Sequence, residues 1–144
     1  MVRSRLCLAL AAATSLAALP AVAADDPIAV VRAAYVDGVH RHSDAAAFRA
    51  GFHDSFVRYV NGPDGVTTVT REDWAARLAK AAADPDRKTP NVEADLEIVG
   101  SSGDAAVVKV ELSRDGKHLF TDFLSLYRAA DGWKVVAKIY QRHP

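Results

Sequence analysis

Residues 105–142, AAVVKVELSRDGKHLFTDFLSLYRAADGWKVVAKIYQR, decide the fold of this chain. Three runs rich in β-branched and aromatic residues are separated by two Asp-Gly pairs, Asp115-Gly116 and Asp131-Gly132. An Asp-Gly pair between two such runs is the strongest short-range signal of a β-hairpin. The stretch therefore predicts three consecutive antiparallel strands.

A two-residue turn at Asp115-Gly116 would also fix the register of the first hairpin. Counting outward from the turn places Lys109 opposite Asp122 and Val107 opposite Leu124. Alternation then predicts two largely apolar faces, so we expect the sheet to be covered on both sides. The first face would contain Val107, Phe120, Leu124, Leu126, Trp133, Val135, Ala137 and Ile139. The second would contain Val108, Val110, Leu112, Leu119, Phe123, Tyr127, Val136 and Tyr140.

Asp122 is the ionisable residue that this pattern singles out. A charged carboxylate costs several kcal/mol to bury without a partner, so Asp122 should be paired, protonated or in contact with a water-filled pocket. Two interpretations stay open: a cross-strand ion pair with Lys109 that fixes the register, or a place in a binding pocket. Trp133 lies on the same row and is expected to fill the core, with stacking on a ligand as the alternative.

Three helices are predicted in the part of the chain before residue 105. Asp26-Pro27 predicts the start of a first helix, Ser43 or Asp44 caps a second that ends at Gly51, and Thr70 caps a third. We expect Gly51 to take the left-handed conformation that often follows a helix. The first helix would turn Ile28, Val31, Tyr35 and Val39 inward. Strands are predicted over residues 52–60, 66–69 and 92–98.

The first residues have the three parts of a secretory signal peptide. Two arginines precede an apolar segment over residues 6–19, and Ala21-Val22-Ala23 is a small-x-small cleavage site. We expect residues 1–23 to be removed on export, leaving residues 24–144 as one domain that is periplasmic or secreted. The apolar run is shorter than the about 20 residues that a membrane anchor needs.

Charge and cysteine content limit the partners of that domain. Removal of Arg3 and Arg5 would leave 16 Lys and Arg against 18 Asp and Glu, a formal charge of −2. This leaves no basic field for nucleic acid or an anionic membrane, so neither is an expected partner. Cys7, the only cysteine, lies in the predicted signal peptide. The domain is therefore predicted to have no thiol or disulfide chemistry.

A homodimer is expected because helices can cover only one face of the sheet. The other face would expose an apolar patch too large for a soluble monomer. The predicted patch consists of Val108, Val110, Leu112, Phe123, Val136 and Tyr140.

The order helix, helix, strand, helix and then four antiparallel strands resembles the cone-shaped α+β plan of nuclear transport factor 2-like (NTF2-like) proteins. Residues 103–106, 120–126 and 131–140 are similar to the carboxy-terminal motifs of the putative lumazine-binding family in that superfamily. Upstream, Tyr35 with Gly38, and Phe52-His53, resemble its amino-terminal half. The resemblance implies three helices packed on a curved, mainly antiparallel sheet.

The same resemblance implies a site inside the cone. In ketosteroid isomerases of the superfamily, a strand carboxyl and a Tyr on the first helix form an oxyanion hole. Asp122 and Tyr35 resemble these two groups. The candidate base is His53, with Asp54 or Arg58 on the same strand as alternatives, and the sequence does not decide which face of that strand turns inward. The candidate pocket thus comprises Tyr35, His53, Lys109, Asp122 and Trp133.

Three functions remain open from the sequence. The favoured one is binding of a small apolar or aromatic ligand between the sheet and the helices. The alternatives are a lyase or isomerase reaction by proton abstraction in the same pocket, and a structural dimerisation module that needs no pocket.

The histidines give weak signals. His40 and His42 have the wrong spacing to share one helix face, so we expect a solvated helix end there. His118 lies beside a turn and His143 at the chain end, and both are expected to be solvent-exposed. With no Ser-His-Asp order, glycine-rich phosphate loop or Cys/His cluster, the sequence predicts no metal and no cofactor.

Overall fold

A computed structural model describes residues 24–144 and shows three helices on a curved, open, six-stranded sheet. The helices are α1, α-helical over Pro27–Val30 and π-helical over Val31–His42, α2 (Ala45–Gly51) and α3 (Arg71–Ala82). The strands are β1 (Phe52–Gly62), β2 (Gly65–Thr70), β3 (Val92–Ser102), β4 (Ala105–Arg114), β5 (Lys117–Ala129) and β6 (Gly132–Arg142). The predicted signal peptide, residues 1–23, lies outside the described residues.

The strand order across the sheet is β2-β1-β6-β5-β4-β3. All neighbouring strands are antiparallel except β1 and β6, which pair in parallel. The predicted α+β architecture is therefore confirmed. None of the helices in residues 24–144 is long and apolar enough to cross a membrane.

Each helix begins at the side chain that the sequence indicates. Asp26 Oδ1 accepts a hydrogen bond from the backbone N–H of Ile28 at 2.9 Å. Asp44 Oδ1 accepts from two N–H groups at the start of α2, and Thr70 Oγ1 accepts from the N–H of Asp73 at 3.2 Å. These caps satisfy backbone donors that have no partner within the helix.

Gly51 has a different role from the predicted one. It is the last residue of α2 and does not have a positive φ. A Cβ atom at this position would lie only 2.3 Å from Cβ of Ala34. Glycine is therefore needed for the close approach of α1 to the end of α2, and the prediction of a left-handed residue there is wrong.

Both predicted hairpins form. Asp115 and Gly116 have φ values of 51° and 76°, as a two-residue turn with two positive φ angles requires. In the second hairpin Ala129 pairs with Gly132, so the turn consists of Ala130 and Asp131 and the prediction of an Asp131-Gly132 turn is wrong by one residue.

The predicted register of the first hairpin is wrong because β5 contains a bulge. Leu112 pairs with Phe120 and Ser113 with His118, so Leu119 is an extra residue. Beyond the bulge Lys109 lies opposite Phe123 rather than Asp122. A one-residue slip of this kind exchanges the faces of the strand.

The two predicted faces are consequently mixed. Val108, Val110 and Leu112 were expected on the uncovered face, yet all three are fully buried in the core beneath the helices. A second bulge, at Val136 in β6, exchanges the faces of the residues that follow it. Ile139 is therefore 56% exposed on the outer face instead of buried. The core also contains Leu124, Leu126, Trp133 and Val135 from the strands and Tyr35, Phe48 and Trp74 from the helices.

Candidate functional site

Three buried polar side chains meet inside the cone, and we call Tyr35, Asp122 and Lys138 the cone cluster. The hydroxyl of Tyr35 donates to Oδ2 of Asp122 at 2.6 Å. Nζ of Lys138 lies 2.6 Å from Oδ1 of Asp122, although no hydrogen bond with normal angles reaches that oxygen. Their exposed fractions are 1%, 0% and 4%. The cluster is thus a buried ion pair with one hydroxyl donor.

The two bulges bring the cone cluster together. Without the bulge at Val136, simple alternation from Trp133 and Val135 would turn Lys138 to the outer face. The extra residue reverses the pattern, so that Lys138 and Tyr140 point towards the helices. Asp122 on β5 lies opposite Tyr140, and Tyr35 approaches from α1.

Aromatic rings surround the ammonium group of Lys138. Nζ lies 4.3 Å from the ring centre of Tyr140, 5.1 Å from that of Tyr35 and 5.7 Å from that of Trp74. Such contacts favour a cation when it is desolvated. Burial lowers the pKa of Lys138, while the charge of Asp122 opposes that shift. Burial, with the Asp122 charge second, raises the pKa of Tyr35 well above its ordinary value, so Tyr35 remains a donor at neutral pH.

Two nitrogen atoms beside the cone cluster are buried and have no hydrogen-bond partner within residues 24–144: Nε of Arg58 and Nε2 of His40. The guanidinium of Arg58 lies over the Trp74 ring, 4.4 Å from its centre. The His40 ring meets the Tyr35 ring edge-on, with 4.7 Å between centres. Burial, followed by the charge of Lys138, lowers the pKa of His40 to about 3, so its imidazole is neutral at physiological pH. The expectation of a solvated His40 is wrong.

The open end of the cone contains a cavity of about 570 Å³, which we call the mouth cavity. His40 links it to the cone cluster, because its ring contacts Tyr35 and also lines the cavity. Arg114 and Arg142 give the wall two positive charges, and the Arg142 guanidinium lies 5.5 Å from the centre of the Phe120 ring. The remaining lining residues are Leu119, His143 and Pro144.

The structure brings together two of the five residues that the sequence proposed for a pocket, Tyr35 and Asp122. His53 is exposed, pairs with Ser55 Oγ at 2.7 Å, and lines a separate cavity of about 360 Å³. Lys109 lies on the outer face, with Nζ 2.9 Å from a carboxylate oxygen of Glu97. Trp133 is 5% exposed, and its Nε1 has no hydrogen-bond partner among the described residues.

Sequence reasoning missed Lys138 and His40, and it left open which face of β1 Arg58 is on. Lys138 was hidden by the bulge at Val136, which alternation cannot reveal. The position of Arg58 depends on the face that β1 presents, and β1 shifts its register against β6 between Phe52 and Val57. A signal did exist for His40, since it follows Val39 and Val36 on the buried side of α1.

The helices and the order of the strands form an NTF2-like fold. The chain matches the family described as "Putative lumazine-binding" over residues 23–141 and belongs to that family. No protein of curated function matches it.

Solved structures support the same fold. An NTF2-like protein of unknown function from Shewanella baltica OS155 superimposes with a TM-score of 0.65 at 22% identity, covering 82% of this chain and 91% of that one. A second such protein, from Silicibacter pomeroyi DSS-3, gives 0.60 at 23% identity, with coverage of 81% and 92%. A protein described as a "putative aromatic ring hydroxylase", from Novosphingobium aromaticivorans, gives 0.60 at 19% identity, with coverage of 82% and 88%.

Proposed function

We propose that this protein binds a small, flat aromatic molecule with an acidic group in the mouth cavity. The observation that carries the proposal is the pair of arginines, Arg114 and Arg142, in the wall of a cavity that Phe120 and His40 also line. Two guanidinium groups beside an aromatic ring suit a ligand that combines an aromatic body with an acidic group.

The size and lining of the cavity support this class of ligand. A volume of about 570 Å³ falls within the roughly 300–1,000 Å³ range of small-molecule sites. The Phe120 ring offers a face for stacking, and the arginines offer charge-assisted hydrogen bonds to a carboxylate or a similar group. The family description names lumazine, which is itself a flat heterocycle, and a ligand of that shape is consistent with the lining.

The geometry of the cone cluster does not favour proton abstraction. The Tyr35 hydroxyl is already donated to Asp122, and Asp122 is ion-paired with Lys138. An oxyanion hole would need both groups to donate to a substrate oxygen. His53, the candidate base, lines a different cavity.

Calorimetric titration with 2-naphthoate tests the binding proposal. Replacing either arginine by Met should weaken binding about tenfold or more, because a hydrogen bond to a charged group contributes about 1.5–3 kcal/mol. Native mass spectrometry of gently purified protein should in addition reveal a retained acidic aromatic compound.

Arg128→Met is the matched control, since Arg128 lies at the other end of β5 beside Trp133. Its affinity for 2-naphthoate should be unchanged. The neutral analogue 2-naphthamide should bind the wild type and both cavity variants with similar affinity. Equal affinity of all variants for 2-naphthoate would refute the assignment of the mouth cavity.

We further propose a homodimer formed through the outer face of the sheet. The patch on this face differs from the predicted one, because Val108, Val110 and Leu112 belong to the core. The apolar side chains that this face exposes are Tyr59, Val66 and Ile139, which are 42%, 66% and 56% exposed. They surround a shallow apolar depression of about 460 Å³ with Phe123. Burial of such a patch against its symmetry copy would remove apolar surface from water.

Sedimentation equilibrium at micromolar concentration checks the dimer. The wild type should be dimeric and Ile139→Lys should be monomeric, because two introduced charges would face each other across the two-fold axis. Ile98→Lys is the control, since Ile98 is 41% exposed on β3, away from the patch, and should leave the dimer intact. A monomeric wild type would overturn the proposal.

A further inference from the structure

A second polar site lies on the outer face of the sheet, at the end near the carboxy terminus. Glu111 on β4, His118 on β5 and His143 after β6 each offer one ligand atom, and these atoms lie within 4.8 Å of one another. We call these three residues the outer triad. The sequence does not predict the outer triad, because its members come from three separate segments of the chain.

Hydrogen bonds hold the outer triad in place. Oε2 of Glu111 accepts from the Thr121 hydroxyl at 2.6 Å and lies 2.9 Å from Nε2 of His118. Nε2 of His143 lies 2.9 Å from the same hydroxyl, and the backbone N–H of His143 donates to the carbonyl of Leu119 at 2.9 Å. The two imidazole rings are stacked, with 4.0 Å between their centres. These contacts keep the three side chains close together at the surface.

The geometry points to a binding site for a divalent transition-metal ion, held by Oε2 of Glu111 and Nε2 of His118 and His143. Three atoms within 4.8 Å of one another share a point about 2.8 Å or less from each. Side-chain rotations that unstack the two imidazole rings would bring their nitrogens to the roughly 2.0–2.2 Å bonds of Zn²⁺. Two imidazoles and one carboxylate suit Zn²⁺, Ni²⁺ or Cu²⁺ rather than Mg²⁺ or Ca²⁺, which prefer oxygen ligands alone.

The surroundings favour a cation. A groove of about 370 Å³ is lined by Glu111 and His118 together with the carboxylates of Glu93 and Asp95, while His143 lines the mouth cavity. Lys109 lies 3.8 Å from Oε1 of Glu111, which leaves Oε2 as the ligating oxygen. A metal ion binds only imidazole nitrogens that are free of a proton, so any proton on these Nε2 atoms goes to solvent when the ion binds.

Equilibrium dialysis of the full chain, purified without a polyhistidine tag, tests the proposal with ZnCl₂. We expect one Zn²⁺ per chain, with His118→Ala and His143→Ala each weakening binding about 100-fold or more, since even outer-shell changes cost about 10–100-fold. Glu111→Gln should also weaken it, because an amide is a poorer ligand than a carboxylate. MgCl₂ in excess should not compete.

His53→Ala is the matched control, since His53 is also an exposed histidine on the sheet but has only Ser55 as its partner. Its Zn²⁺ affinity should equal that of the wild type. Independently of any variant, the ring-proton NMR signals of His118 and His143 should move on titration with Zn²⁺, while those of His53 stay. The proposal is overturned if the wild type binds no stoichiometric Zn²⁺, or if binding survives in His118→Ala.

Discussion

Asp122→Asn should lower the free energy of unfolding by about 3–5 kcal/mol, the usual effect of removing one partner from a buried ion pair. The amide can still accept the hydrogen bond of Tyr35, but the Lys138 ammonium, 4% exposed, loses its counterion. Urea denaturation at pH 7 measures the loss. A change below about 1 kcal/mol would contradict the buried pair, because that is the range of surface pairs.

The double variant Asp122→Asn/Lys138→Met distinguishes the lost charge from a lost contact. It should recover much of the stability, since a pair replaced on both sides leaves no unpaired buried charge. Lys109→Met is the matched control. Its amine is partly exposed on the outer face with Glu97, so its loss should cost about 1 kcal/mol or less.

The Asp122→Asn variant should also acquire a dependence on pH with a defined sign. Burial already lowers the pKa of Lys138, and in the variant the charge of Asp122 no longer opposes that shift. The unfolded chain then holds a proton that the folded chain releases. Stability of the variant should therefore rise with pH up to about 10.5, the ordinary pKa of lysine.

Trp133→Ala should cost about 3–5 kcal/mol, the range for truncating a buried aromatic residue. The ring is 5% exposed at the start of β6, and the Arg128 guanidinium lies 5.2 Å from its centre. Trp133→Phe should cost much less, because Nε1 has no partner among the described residues and no hydrogen bond is lost. Thermal or urea unfolding gives both values.

One result would contradict the placement of Trp133 in the core. If the Ala variant kept its stability but lost affinity for 2-naphthoate, Trp133 would be a ligand platform rather than part of the core.

The sequence predicted features that depend on a few neighbouring residues. Helix starts at Asp26, Asp44 and Thr70 depend on one side chain and the next two or three N–H groups, and the turn at Asp115-Gly116 depends on two backbone angles. The order of these elements was enough for the α+β architecture.

Features that depend on the count of residues along a strand were not predicted. A single extra residue at Leu119, and another at Val136, reversed the faces of two strands. This is why Lys109 was placed beside Asp122 and why Lys138 was overlooked. Asp122 was identified as an ionisable residue on an apolar row and Tyr35 from the inward stripe of α1, and the resemblance then put the two in one site. His118 and His143 meet only because three strands end at one edge of the structure.

The parallel pairing of β1 with β6 has a consequence for how the chain folds. Phe52 pairs with Val135, so the strand that β1 needs is the last one to be synthesised. The hairpins of β3, β4 and β5 are local and can form early, whereas docking of β1 and β2 requires closure of a long loop, which slows folding. A nascent chain therefore cannot complete this sheet until β6 has been synthesised, and β1 and β2 stay accessible to chaperones until then.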